Sequence, residues 1–154
     1  MTTRGCTKIL SLFNMDNSTL RGFLIDPLTG GREVSVNNDL AGFKELLNSQ
    51  NIEIQRFPIV HKGVVMTMKA MFDNDARLGD CAYPSIMLDT EEMDRPQYVG
   101  RVLILGSNGD LPSNLSNSEV ACLKGRQYLY RYTDEVSGLS QTMVCLRGSR
   151  PMKD

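Results

Sequence analysis

The chain has 154 residues, with 17 basic and 18 acidic side chains and a formal net charge of −1. That is one domain's worth of sequence, long enough to bury about two-thirds of its unfolded surface. The near-cancellation of charge disfavours a general DNA or RNA binder, which needs a basic surplus to release counterions from phosphates. No stretch approaches the roughly 20 apolar residues of a membrane-spanning helix, and the longest apolar runs, such as Val102-Leu103-Ile104-Leu105, are strand-sized.

Residues 1–19 read as an N-terminal extension or a first strand. Arg4 and Lys8, the hydroxylated Thr2, Thr3, Thr7 and Ser11, and the lack of any acid before Asp16 resemble the composition of an organelle transit segment. An ordinary strand from Lys8 to Phe13, or a start at Met15 in place of Met1, explains the same residues. The four cysteines, Cys6, Cys81, Cys122 and Cys145, are scattered, and His61 is the one histidine. Zinc sites draw their ligands in close pairs, so neither metal nor cofactor is expected. Scattered thiols suit a reduced, cytoplasmic protein.

Leu20 to Asp26 and Arg32 to Val36 read as a β-hairpin across Pro27-Leu28-Thr29-Gly30-Gly31, since proline fixes φ and glycine supplies positive φ. Asn37-Asn38-Asp39 supplies an N-cap. Leu40, Phe43, Leu46 and Leu47 share one face of a helix predicted over Leu40 to Ser49. A strand from Ile52 is expected to end near Pro58. Gly63 to Phe72 forms the next, with the short His61-Lys62-Gly63 link making a second hairpin. Pro84 to Leu88 is a short strand, and Thr90 to Pro96 an acidic loop. Tyr98 to Leu105 reads as one continuous strand in a central, doubly covered position.

Gly106 to Ser116 reads as a loop. Ser116 and Glu119 form a capping box, opening a helix to about Arg126 with Val120, Ala121 and Leu123 inward. Tyr128 to Tyr132 and Gln141 to Leu146 form a last hairpin. Residues 20–147 are therefore read as a single α+β domain, and 148–154 as a disordered tail. Hairpins with two inserted helices predict a curved, mostly antiparallel sheet with both helices packed on one side.

Asp73-Asn74-Asp75-Ala76-Arg77-Leu78-Gly79-Asp80 is the most unusual segment. Its alternating acids invite a calcium loop, but Arg77 stands at a ligand position, the glycine comes late and Pro84 replaces the closing glutamate. A capped turn in which the aspartates bond their own backbone is the simpler reading. As a polar loop on a rigid sheet it is also the expected ligand or partner site, through Asp73, Asp75, Arg77, Asp80 and Tyr83. No catalytic residue is assigned. A cysteine nucleophile would have to be Cys81 beside His61, with an aspartate, but a histidine at a hairpin tip is a poor base and the other cysteines read as buried hydrophobes. Gly106-Ser107-Asn108-Gly109-Asp110 lacks the phosphate-loop signature. The methionines on strands read as core filler. Tyr128, Tyr130 and Tyr132 share a strand face, better suited to packing or partner contact than to base stacking.

Gly22-Phe23-Leu24-Ile25-Asp26-Pro27, the Ala76-Arg77-Leu78 stretch, and Val99-Gly100-Arg101-Val102-Leu103-Ile104-Leu105-Gly106 together resemble a family. It is the set of small domain-of-unknown-function proteins of phages and large DNA viruses, and the resemblance spans Leu20 to Tyr128. It implies a viral or phage origin and no activity. The expectation is a non-enzymatic accessory protein that binds a host protein or a small polar ligand. Its alternatives are a small cysteine-dependent hydrolase or transferase and a self-associating virion component.

Overall fold

A computed structural model describes residues 18–76, 83–89 and 94–149. Its first strands, β1 (Thr19–Asp26) and β2 (Gly30–Asn37), form the expected hairpin. Asp26 closes it, accepting Leu28 N at 3.0 Å with its side chain and Thr29 N at 3.2 Å with its carbonyl. Asp39 then caps helix α1 (Leu40–Leu47), its carboxylate accepting Gly42 N at 2.6 Å. Asn48 ends the helix in the left-handed conformation, φ 52°.

β3 (Ile52–His61) and β4 (Val64–Asp73) follow as a ten-residue hairpin pair. Lys62 and Gly63 both take positive φ between them, the type I′ geometry that matches strand twist. β3 does not stop at Pro58 but continues through it. It is the outermost strand of its sheet, where a missing N–H breaks no ladder bond.

β5 (Pro84–Asp89) and β6 (Asp94–Val99) come next, β6 beginning inside the segment expected to be loop. The continuous strand expected from Tyr98 to Leu105 is broken. β6 ends at Val99 and β7 (Val102–Asn108) starts after Gly100, whose φ is +81°. The chain changes sheets at that point. The expected loop after β7 contains a short return strand, β8 (Leu111–Ser113). Ser116 and Glu119 form the capping box of helix α2 (Asn117–Gly125). Cys122, not Ala121, joins Val120 and Leu123 inward. β9 (Gln127–Thr133) and β10 (Ser140–Gly148) form the last hairpin, β10 running on to Gly148.

The strands make two sheets, not one. The first has the order β2–β1–β7–β4–β3, with β8 attached to β7; the second has the order β6–β5–β10–β9. All pairings are antiparallel except β5 with β10. The mixture of two helices with mostly antiparallel strands is α+β. β7 is central and covered on both sides, as its apolar run requires. Val102 and Ile104 join Phe23, Ile25, Met68, Ile86 and Leu146 in the core between the sheets. Leu103 and Leu105 join Leu24, Met71, Phe43 and Leu47 under α1 on the opposite face. α2 belongs to the first of these cores through Val120, Cys122 and Leu123. The helices therefore lie on different faces of the first sheet, correcting the expectation that they share a side. A sheet of alternating residues can bury both faces only if each is covered.

The outer face of the second sheet carries a third cluster. Met87, Met143 and Cys145 are buried beneath Tyr83, Tyr128, Tyr130 and Tyr132. No helix among the described residues is long and apolar enough to cross a membrane.

Candidate functional site

The break at Gly100 delivers Arg101 to the ends of several elements at once. Arg101 Nε donates to Asp26 Oδ2 at 3.1 Å, and Nη1 donates to the Leu46 carbonyl at 3.1 Å. That carbonyl lies in the last turn of α1, where the helix dipole favours a cation. The Asp26 side chain is 13% exposed and that of Arg101 44% exposed. Their ion pair is therefore half-screened, and contributes orientation more than stability. Gly100 N donates to the Tyr83 carbonyl at 2.9 Å, tying the start of β5 to the same joint.

These residues line a cleft of about 360 Å³. Asp26, Pro27 and Leu28 come from the β1–β2 turn, Leu47 and Asn48 from the end of α1, and Asp73 and Ala76 from the end of β4. Tyr83, Gly100 and Arg101 complete it. The volume suits a small molecule. Its walls offer one oriented guanidinium, two carboxylates and a phenol.

Of the residues expected from the sequence, Asp73 and Tyr83 line this cleft. Asp73 Oδ1 accepts Asp75 N at 2.9 Å, the aspartate-to-own-backbone bond of a capped turn. Asp75 is turned to Asn51, whose amide donates to its two oxygens at 3.2 and 3.3 Å. It braces the turn and is not among the lining residues. Arg77 and Asp80, and with them half of the calcium-like segment, lie outside the described residues, as does Cys81. Among the described residues no group of three or more His, Cys, Asp or Glu side chains is placed to hold a metal ion. Tyr83 also meets Tyr132 edge to face, with ring centroids 6.0 Å apart, so the cleft adjoins the tyrosine face of the last strands.

His61 is the last residue of β3, at the hairpin end of β4. Asp73 is at the other end of β4, a strand length of about 30 Å. Cys122 and Cys145 are buried. Burial pushes the Cys122 thiol up, and Cys145 Sγ donates to the Pro84 carbonyl at 3.1 Å. Both fit the reading as small hydrophobes.

A second hollow of about 310 Å³, lined by Thr19, Arg21, Glu33 and Asn114 among others, also holds an arginine. Arg21 Nε donates to Glu33 at 2.8 Å and Nη1 to Asn117 Oδ1 at 2.6 Å. The hydrogen bond from Arg21 holds the Glu33 carboxyl below its ordinary value, against desolvation. Both guanidiniums spend Nε and Nη1 on neighbours of their own chain, and neither Nη2 has a partner among the described residues. Arg101 is the more exposed of the two, at 44% against 34%.

Sequence reasoning missed Arg101, Asp26 and Gly100 as site residues. The available signal was a glycine inside a strand pattern, which marks a bend or a close approach of backbones. Comparison with protein-family models, curated proteins and solved structures gives no match for this chain.

Proposed function

We propose that this chain is a non-enzymatic binding module that seats a small polar ligand bearing an anionic group in the cleft around Arg101. The observation that carries the reading is the guanidinium held by Asp26 and the Leu46 carbonyl, with Nη2 uncommitted among the described residues. A pre-oriented fork loses little entropy on taking a carboxylate or phosphate. Asp73 and Tyr83, from the same walls, accept and donate hydrogen bonds to the ligand's hydroxyl or amino groups. The family resemblance would set such a module among viral and phage accessory proteins, and a concave site favours a small ligand over a host protein.

The cysteine-dependent alternative has less behind it. His61, the one histidine, is at the end of β4 opposite Asp73 and the cleft, so no histidine is within reach of the cleft to serve as base there.

Native mass spectrometry of the gently purified protein tests the proposal. The wild type should retain an extra mass of metabolite size, and Arg101→Gln should lose it with little change in melting temperature. Losing hydrogen bonds to a charged group lowers affinity by about 10- to 100-fold. A bare wild-type mass, together with no thermal shift from millimolar phosphorylated and carboxylated metabolites, would overturn it.

A further inference from the structure

The two sheets expose strand edges, and an unguarded edge is a template for another strand. Three of the four outermost strands are guarded. On β3, Val60 N is covered by Ser149 Oγ at 2.8 Å. Pro58, at the same outward parity, has no N–H to offer. On β2, Gly31 N is taken by Gln127 Oε1 at 2.8 Å. β6 carries Pro96, and its pairing with β5 has register shifts. β9 has no proline and no register shift, and among the described residues no side chain caps its backbone.

The hydrogen-bond phase of β9 identifies its outward groups. Asp134 N donates to the Leu139 carbonyl, and Arg147 N to the Arg126 carbonyl. Both bonds join even-numbered β9-side positions to β10 in the register of the hairpin. Antiparallel bonding alternates along a strand. Tyr128, Tyr130 and Tyr132 therefore turn their N–H and C=O toward β10. Leu129, Arg131 and Thr133 turn theirs outward. Leu129 is also 73% exposed.

We propose that β9 pairs with β9 of a second copy of this chain, antiparallel about a two-fold axis at Tyr130, joining two four-stranded sheets into one. The strand is Gln127–Thr133, so an axis at its central residue pairs it over its whole length. Leu129 then faces Arg131 of the second copy, with both presenting outward backbone groups, as a bonded pair requires. Tyr128 faces Tyr132, and Tyr130 faces itself. Aromatic cross-strand pairs are favourable, and the tyrosines already lie on one face over Met87 and Met143. The single charge on the strand, Arg131, meets the apolar Leu129 and not its own copy. Its aliphatic stem covers that leucine while the guanidinium stays in water. A foreign peptide would satisfy the same backbone groups. Self-pairing is favoured because the strand's own residues complement each other without a like-charge clash.

Sedimentation velocity of the full chain from micromolar to millimolar concentration is the test, with amide exchange at β9 as a second readout. The expected result is a shift from 17.2 kDa to twice that mass, with protection of the Leu129, Arg131 and Thr133 amides appearing with the dimer. Arg131→Pro removes an outward N–H and leaves the β10 ladder intact, so it should stay monomeric with an unchanged melting temperature. If that variant does not fold, Leu129→Lys and Leu129→Glu decide the matter from an exposed position. Lysine opposite Arg131 should weaken the dimer and glutamate should tighten it, each by about twofold to thirtyfold for two cross-strand pairs. A monomer at every concentration would overturn the proposal, as would a dimer indifferent to both charges at position 129. Protection of the β9 amides only on adding an extended peptide would also overturn it, in favour of a foreign strand.

Discussion

Gly100 is the joint between the two sheets, and its substitution tests the fold and the cleft together. Its φ is +81°, and a Cβ built there would meet only the Ala76 Cβ at 3.5 Å, an ordinary contact. Gly100→Ala therefore brings no overlap, and its effect is conformational. An L-residue held at positive φ loses about 1–2 kcal/mol. The stiffer unfolded chain returns roughly 0.4–1 kcal/mol, leaving a net destabilisation of about 1 kcal/mol. Gly125→Ala is the matched control. Gly125 has no positive φ, and nothing lies within 4 Å of its Cβ position, so alanine there should stabilise by about 0.5–1 kcal/mol. Asn at position 100 should fall between glycine and alanine, because asparagine tolerates the left-handed region. Urea denaturation reads all three, since at an m-value of about 2 kcal/mol/M the expected loss moves the midpoint by about 0.5 M. If Gly100→Ala stabilised as much as Gly125→Ala, the backbone would not turn at residue 100. β6 and β7 would be one strand, and Arg101 would leave the cleft.

Tyr98 is 5% exposed and donates its hydroxyl to Gln55 Oε1 at 3.1 Å. Burial, and secondarily Glu53, push its phenol up to about 12, against about 10 unfolded. The folded value is the higher one, so this contribution is complete below pH 10 and is lost as pH rises through 12. About 1 kcal/mol should be gone by pH 11, and stability of the wild type should fall more steeply between pH 9 and 11 than that of Tyr98→Phe; parallel slopes would contradict the burial argument. Ser116 Oγ accepts Glu119 N at 3.1 Å while Glu119 Oε1 accepts Ser116 N at 2.8 Å. Ser116→Ala should cost about 1 kcal/mol in thermal denaturation; no change would mean that the Leu115 N to Arg21 carbonyl bond suffices to hold the start of α2.

The elements legible in the sequence are those whose signals are local. Asp39 before a run of Leu40, Phe43 and Leu47 specifies a cap and one apolar face, and α1 follows within a residue or two of its expected end. The Lys62-Gly63 turn and the Ser116–Glu119 box are of the same kind. The errors fall where a distant partner decides. Pro58 halts a strand in the middle of a sheet but not at its edge, and whether β3 is an edge depends on the order β2–β1–β7–β4–β3. The second sheet was illegible for the same reason. Nothing in the segment around Pro84 says that β5 pairs in parallel with β10, a strand far along the chain. In α2 the expected inward set is Val120, Ala121 and Leu123, yet the buried set is Val120, Cys122 and Leu123.

The same division explains the candidate site. Asp73 and Tyr83 could be picked out because they bound a dense polar segment, and density is a property of neighbouring letters. Arg101 could not. In the sequence it is a lone cation in an apolar, β-branched run, where a solvated outward-facing side chain is the default expectation. Its setting arises from three separate events. A positive φ at Gly100 turns the chain, the β1–β2 turn brings Asp26 to Nε, and the last turn of α1 brings the Leu46 carbonyl to Nη1. Each element is locally encoded, but their convergence is set by sheet order alone. Sites assembled from the ends of several strands and a helix are therefore best sought at interruptions of otherwise regular runs. There the sequence breaks a local preference without a local cause, and Gly100-Arg101 is such an interruption.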